Sequence, residues 1–249
     1  MLIESLPWDS TFFGCNVARL SVNENCSTDI LKKAIFNNCK CDFDVCYIYV
    51  SHNIDKISSL LLSFGAVLYD HKVTFRKKLS KETDDDTNTS VTELTSLTQD
   101  AIDIAVSSGI YSRFYLDPNF RDKQPMLYKQ WITNCFEHKD GKVFGIFQKK
   151  TLAAIAGVSV SNEVGHLELI AVNPNYRRRG FAKRLIQAAE VFYLKSGAKT
   201  AEVVTQLNNT SACATYESCG YIMANTIDVW HLWKKDMIIP TTKGNGSNP

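Results

Sequence analysis

An excess of charge of one sign is what this chain most plainly lacks. Its 249 residues carry 28 Lys+Arg against 26 Asp+Glu, a net charge of +2. The basic face that nucleic acid or an anionic membrane demands is therefore not expected. Long apolar runs are missing too: the longest, Leu152 to Val158, has seven residues, against roughly 20 for a membrane-spanning helix. The start, MLIESLPWDS, has an acid at position 4 and no basic run ahead of an apolar one, so no secretory leader is expected. Cysteine is too dilute for a disulfide scaffold. The 8 Cys (15, 26, 39, 41, 46, 135, 213, 219) form no CxxC pair. Cys39, Cys41 and Cys46 are the one cluster, and no His stands at ligand spacing beside them. They read as reduced thiols of a cytoplasmic protein, with no metal. No Walker A sequence and no GxGxxG occurs, which removes the P-loop and dinucleotide-binding readings. What remains, 45% hydrophobic and 22% charged residues, is the composition of an ordinary globular protein.

The chain has one clear seam. SKETDDDTNTSV, residues 80–91, is acidic, rich in Ser and Thr, and empty of large apolar residues before Val91. It predicts a solvated linker between a small α/β domain, 1–79, and a larger one, 92–240, with 241–249 a flexible tail. In the larger part, strands are predicted on either side of Gln148-Lys149-Lys150, over His166–Val172, over Thr200–Gln206 and over Tyr221–Trp233. Helices are predicted over Thr98–Ser108, Pro125–Phe136, Phe181–Ser196 and Thr210–Ser218. Strands alternating with helices predict an α/β layered fold. The order strand, helix, Gly, strand recurs: Gly65 and Gly220 stand 155 residues apart, as do the strand starts Val45 and Thr200. Either the chain carries an internal duplication, or two βαβ pieces ending in glycine look alike. In that register Leu61 falls where Tyr216 stands.

The most informative stretch runs from Val172 to Arg184, VNPNYRRRGFAKR. An apolar strand ends, a turn built on Asn-Pro-Asn follows, and a helix opens near Gly180. Arg177, Arg178, Arg179, Lys183 and Arg184 crowd that helix start, where the macrodipole and free N–H groups already place positive charge. A bound polyanion would neutralise the cations and cap the amides. Gly180 lets backbone come close to such a ligand, and Ala182 keeps the next position small. The alternative is a solvated basic face.

Strand, Arg-x-x-Gly-x-Ala, helix resembles the acetyl-coenzyme A pyrophosphate loop of the GNAT N-acetyltransferases. Asn209-x-x-Ala212-x-x-x-Tyr216-x-x-x-Gly220-Tyr221 resembles that family's second pattern. The resemblance implies a GNAT fold: a mixed, largely antiparallel sheet flanked by helices, with a smaller half-GNAT-like domain before it. It further implies acetyl-CoA as co-substrate. The backbone of Leu169, Ile170, Ala171 and Val172 would bond the pantetheine arm. The amides of Arg177, Arg178, Arg179, Gly180, Phe181, Ala182 and Lys183 would cradle the pyrophosphate. Asn209 and Ala212 would line the pantetheine side, and Tyr216 would be the general acid at the sulfur. As a residue, Tyr216 equally suits a core aromatic at helical spacing. Glu168 is the candidate base, directly or through water, with His166 on the same strand face. Either side chain also suits a solvent-facing role.

Pro7-Trp8-Asp9-Ser10-Thr11-Phe12-Phe13-Gly14 and Ser112-Arg113-Phe114-Tyr115-Leu116-Asp117-Pro118-Asn119-Phe120 resemble a bacterial GNAT subfamily, the dTDP-fucosamine acetyltransferases. That implies a nucleotide-sugar substrate, dTDP-4-amino-4,6-dideoxygalactose, on the way to a polysaccharide. Arg113 and Phe114 are the candidate substrate contacts: a guanidinium binds a diphosphate and an aromatic covers a base. The same residues also suit an amphipathic loop packed on the core. Trp8, Phe12 and Phe13 are expected in the first domain's core, and Asp9 at a turn. A small-molecule partner is expected, with neither nucleic acid nor a membrane span, and a homodimer is the candidate assembly. Two other functions stay in view: a GNAT enzyme for another amine, and a non-catalytic acyl-CoA-binding module.

Overall fold

The structure is a computed structural model that describes residues 3–23, 25–38, 42–52, 54–80 and 91–238. The first half supplies β1 (Ile3–Ser5), α1 (Pro7–Phe13), β2 (Val17–Val22), α2 (Thr28–Asn38), β3 (Val45–Ser51), α3 (Asp55–Ser63) and β4 (Val67–Lys78). The second supplies β5 (Val91–Glu93), α4 (Gln99–Ser107), α5 (Arg113–Leu116), α6 (Gln124–Glu137), β6 (Gly141–Gln148), β7 (Thr151–Ser161), β8 (Val164–Val172), α7 (Phe181–Lys195), β9 (Thr200–Gln206), α8 (Thr210–Ser218) and β10 (Ile222–Trp233).

These elements form two compact units. One is Met1–His71 with Ile227–Pro249, the other Lys72–Thr226. The boundaries fall inside two strands: the later part of β4, from Lys72, belongs to the second unit, and the later part of β10, from Ile227, to the first. In the first unit the strand order is β1-β2-β3-β10, with β2 and β3 parallel and β10 antiparallel to β3. In the second it is β4-β9-β8-β7-β6-β5, with one parallel pair, β8 with β9, among antiparallel neighbours. This is the mixed, largely antiparallel sheet expected. The expected linker falls mostly on 81–90, and the tail and Cys39 and Cys41 likewise lie outside the described residues. The described cysteines, 15, 26, 46, 135, 213 and 219, are free thiols. No helix among the described residues is long and apolar enough to cross a membrane.

The strand registers favour the duplication over chance. Ile227 to Trp233 lie opposite Ser51 to Val45. Moving both ladders by 155 residues gives Lys72 to Lys78 opposite Gln206 to Thr200, the ladder seen in the other unit. The glycines that end the two equivalent helices also match, with φ of +83° at Gly65 and +81° at Gly220. One difference matters. In the first unit β2 and β3 stay paired over six residues, Val17–Val22 with Val45–Val50. In the second, β8 and β9 pair only from Val164/Thr200 to Leu167/Val203 and then part.

Burial follows the layers. Leu20, Leu31, Ile48, Leu61, Phe64 and Trp230 form the first unit's core. In the second, Val73, Phe75, Leu167, Leu185, Ile186 and Tyr193 pack beneath α7. Ala101, Ile104, Tyr128, Ile132, Leu169 and Ala171 pack on the opposite sheet face against α4 and α6. Two N-terminal expectations need correction. PWDSTFF is a helix, with Pro7 at its first position and Gly14 ending it at φ +70°, which is where a proline and a glycine suit a helix best. Asp9 lies in that helix's first turn, and Trp8 is 50% exposed, stacked on Phe12 with ring centroids 5.1 Å apart. Phe13 alone of the three aromatics is buried core.

Close packing gives one clear prediction. Gly165 of β8 lies against the Tyr193 ring so tightly that a Cβ would overlap it. Tyr193 is fully buried and has no room to yield. Gly165→Ala should therefore destabilise the protein by about 1–3 kcal/mol, read as a lower urea midpoint at unchanged slope. An unchanged midpoint would mean that the ring and strand separate more easily than this contact implies.

Candidate functional site

β8 carries the site's first feature, a bulge at Glu168. Gly157 of β7 pairs with Leu169, and its neighbour Val158 pairs with Leu167, so Glu168 has no opposite residue. The bulge shifts the alternation by one. Leu167 joins the core beneath α7, whereas Leu169 and Ala171 join the core beneath α4 and α6. Bulges re-aim side chains in this way beside functional sites. The exposed Glu168 carboxylate accepts a 2.6 Å hydrogen bond from the Ser159 hydroxyl on β7. His166 Nε2 lies 3.1 Å from Ser161 Oγ, two residues along the same strand. Sequence reasoning missed Ser159, and nothing in its local pattern marks it.

The second feature is the gap between β8 and β9. Past Leu167 and Val203 the strands no longer pair, so the outer edge of Leu169–Val172 carries peptide groups that β9 does not satisfy. The inner edge of the same segment is fully engaged by β7, Val172 opposite Ala154 through Leu169 opposite Gly157. Unpaired backbone N–H and C=O groups call for a partner.

Beyond Val172 the chain enters a single 3-10 turn, Pro174–Tyr176, capped by Asn173, whose side chain accepts from Asn175 N at 3.0 Å. Then two residues turn left-handed: Arg178 at φ +60° and Gly180 at φ +75°. For arginine that conformation is unusual. Gly180 is the N-cap of α7 and gives no side-chain cap. Among the described residues, none of the amides from Arg178 to Lys183 donates to a backbone carbonyl. A Cβ on Gly180 would meet nothing within 4 Å, so the glycine serves the φ angle and an approach from outside. Arg177, Arg178 and Arg179 are exposed. Arg177 Nε reaches back to Val172 O at 3.4 Å, and Arg179 lies over the Tyr176 ring at 5.2 Å. Uncapped amides at a helix start, beside two left-handed residues and three exposed arginines, are the features on which anion sites are built. The corresponding β2 to α2 segment of the first unit, NENCS, has no arginine.

α8 is held by Asn209, whose side chain accepts from Ala212 N at 3.3 Å. Its carboxamide oxygen is thus engaged in capping. Four residues on from Ala212, Tyr216 is 3% exposed and packs against Phe75 and Tyr221, centroids at 5.7 and 6.3 Å. Burial pushes its phenol well above the ordinary tyrosine pKa. Burial also raises the Cys213 and Cys219 thiols beside it, and drives that of Cys135, beneath β7, up to about 12.

Arg113-Phe114-Tyr115-Leu116 is helical where a loop was expected. Ser112 caps α5 by accepting from Tyr115 N at 3.3 Å, and Asp117-Pro118 follows its last residue, Leu116. Phe114 is 5% exposed and edge-on to Phe120 and Trp131. Its ring is chiefly a core element, which weighs against the expected substrate contact. The Arg113 guanidinium covers it at 4.3 Å, and Arg121 lies over the exposed Tyr115 ring at 5.4 Å. A cavity of about 290 Å³ near the loop, lined by Asp100, Asp103, Ser107, Thr151, Asn173 and Pro174, had no signature in the sequence.

Residues 108–221 match the family model described as acetyltransferase (GNAT) family. An acetyltransferase from the GNAT family of Colwellia psychrerythraea superposes with a TM-score of 0.53 at 18% identity, over 84% of this chain and 73% of that one. A functionally unknown conserved protein from Staphylococcus epidermidis superposes with 0.59 at 14%, over 92% and 88%. Streptothricin acetyltransferase of Escherichia coli is 28% identical over 96 residues, 38% of this chain and 55% of that protein. The chain thus spans about half the length of that curated relative. The structural neighbours show that the fold is that of the GNAT acetyltransferases, and the family model matches the part of the chain that holds β8, α7 and α8.

Proposed function

We propose that this protein transfers an acetyl group from acetyl-CoA to a primary amine of a small molecule, the first candidate being the nucleotide-linked amino sugar dTDP-4-amino-4,6-dideoxygalactose. One observation carries the cofactor half: β8 and β9 part after Leu167 and Val203, immediately ahead of the uncapped, left-handed loop at Arg178 and Gly180. A slot with unpaired peptide groups followed by an anion cradle fits a pantetheine arm ending in a pyrophosphate. The open edge of Leu169, Ile170, Ala171 and Val172 would bond the arm, with Ala212 leaving room beside it and the Asn209 amide nitrogen as a further donor. The amides of Arg177 to Lys183 would hold the phosphates.

When bound, acetyl-CoA supplies an activated thioester carbonyl. The chain's own residues handle protons. Glu168, held by Ser159, takes the proton of the attacking ammonium, directly or through water. Tyr216, kept protonated by burial, donates a hydrogen bond toward the departing sulfur. The raised thiols of Cys213 and Cys219 make poor nucleophiles at neutral pH, which supports direct transfer in a ternary complex. Exchanging both cysteines for alanine should then leave kcat within about twofold of the parent, since neither would carry the acetyl group. Acetylated enzyme accumulating in the absence of acceptor would exclude direct transfer.

For the acceptor, Arg113 opens α5 and Arg121 follows it, one guanidinium over the buried Phe114 ring and the other over the exposed Tyr115 ring, two cations suited to a diphosphate beside an aromatic suited to a base. A second reading has the sequence likeness to streptothricin acetyltransferase behind it: an amine of a streptothricin-like molecule. Thiol release from acetyl-CoA with each acceptor tests both. Turnover with the dTDP-sugar, lost in Arg113→Ala, supports the first reading. Turnover with streptothricin alone replaces it. Tight acetyl-CoA binding with no turnover on any amine would make the chain a binding module.

A further inference from the structure

Among the titratable side chains that the acetyl-transfer reading leaves unused is a cluster that lies wholly in the first unit. Asp228 of β10 stands opposite Val50 of β3 and is 5% exposed. Its Oδ1 lies 2.7 Å from His52 Nδ1 and 2.6 Å from His71 Nδ1. The two imidazoles stand edge to face, centroids 5.1 Å apart at 85°. One donor atom from each residue can be chosen so that all lie within 4.8 Å of one another.

We propose that His52, His71 and Asp228 bind a divalent transition-metal cation of the zinc class, fastening the end of β3 to β4 and β10 within the first unit. The donor set selects the metal. Two imidazoles and one carboxylate suit zinc and its neighbours, whereas magnesium and calcium take oxygen ligands. Three protein ligands leave a position for water, and the imidazoles, each about a quarter exposed (27% and 28%), leave an entry path. Both rings turn Nδ1 to one carboxylate oxygen, so donor atoms from three segments already stand together.

The duplication sharpens the argument. The positions 155 residues away from His52, His71 and Asp228 are Leu207, Thr226 and Val73, none of them a metal ligand. Val73 is fully buried in an ordinary apolar core, so the repeat does not need an acid here. The cluster belongs to the half whose β2 and β3 stay paired and which therefore has no slot for a pantetheine arm.

Protons balance simply. Each neutral imidazole moves its ring proton from Nδ1 to Nε2, freeing Nδ1 for the ion, and any imidazolium releases one proton to solvent. Asp228 remains a carboxylate throughout. Two hydrogen bonds to Oδ1 give way to two nitrogen–metal bonds and one oxygen–metal bond.

The test uses the full chain, stripped with a chelator and titrated with cobalt chloride under visible absorption, then competed with zinc chloride. One cobalt ion per chain is expected, giving d–d bands without the thiolate charge-transfer band that cysteine ligands produce. His52→Ala and His71→Ala should each weaken binding by about tenfold or more. Saturating zinc should raise the thermal midpoint of the parent by about 5 °C, and that of neither variant. Should an alanine variant misfold by circular dichroism, His52→Gln gives the same comparison with the ring's volume partly kept. Cobalt binding equal in parent and variants, a thiolate charge-transfer band, or no binding at millimolar cobalt would each overturn the site and leave a hydrogen-bonded triad. None of these readouts depends on acetyl transfer, so the site can fail while the proposed activity stands.

Discussion

Tyr216→Phe should lower kcat about a hundredfold while leaving the KM for acetyl-CoA within about twofold, the pattern of an interaction made only as the reaction proceeds. The substitution removes one oxygen from a ring that is 3% exposed and keeps the contacts with Phe75 and Tyr221. The fold should tolerate it. In the first half of the duplication the same position is Leu61, fully buried in its own core, so an apolar side chain there is already compatible with this helix. The size of the effect follows from the direction of the pKa. Burial lifts the phenol above its usual value, further from a thiol pKa near 8.5, so full proton transfer is uphill. What the hydroxyl offers is a hydrogen bond in a dry site, which belongs at the lower end of the range for acid–base groups. The same shift fixes the pH profile. In the proposed role the neutral phenol is the active form, and it is fully present below the raised pKa. No falling limb assignable to Tyr216 should therefore appear between about pH 6 and 9. Unchanged kcat in the variant would remove Tyr216 from the chemistry and leave it a core aromatic.

How much of this was legible beforehand depends on whether the signal is local. α8 was readable residue for residue, because Asn209 and Gly220 bracket Thr210–Ser218 with a cap and a left-handed stop. The loop before α7 stood out because five cations at a helix start go against the helix dipole. The bulge at Glu168 was not readable. HLELIAV alternates as a regular strand, and only pairing with β7 reveals that Glu168 has no opposite residue. α1 was missed because a Trp-Phe-Phe cluster reads as buried, whereas Pro7 and Gly14 mark a helix that leaves Trp8 half exposed. The unit boundaries inside β4 and β10 left one faint trace, the separation of 155 residues, which says that halves repeat and not which partner each last strand takes. The Asp228 cluster left none. Its hydrogen bonds span 157 and 176 residues, and no spacing rule reaches that far.

The later part of β4 carries the largest stability effect expected in the second unit. Lys77 Nζ lies 2.9 and 2.8 Å from the two carboxylate oxygens of Glu190 on α7. Glu190 is 2% exposed, its carboxylate also accepts from Tyr221, and the Lys77 ammonium sits 5.7 Å from the Tyr221 ring centre. A buried pair contributes little relative to an apolar one, yet breaking it strands a charge. Lys77→Met should thus cost about 3–5 kcal/mol and lower the thermal midpoint by about 10 °C. Adding Glu190→Leu to it should restore most of that loss, because the double variant buries no unpaired charge. The duplication already contains the apolar solution. The residue 155 positions from Lys77 is Leu232, 1% exposed and packed in the first unit's core, on the strand that β3 receives as β9 receives β4. An additive loss in the double variant would show that Glu190 is held for a reason beyond its charge, with its bond to Tyr221 the next contact to remove.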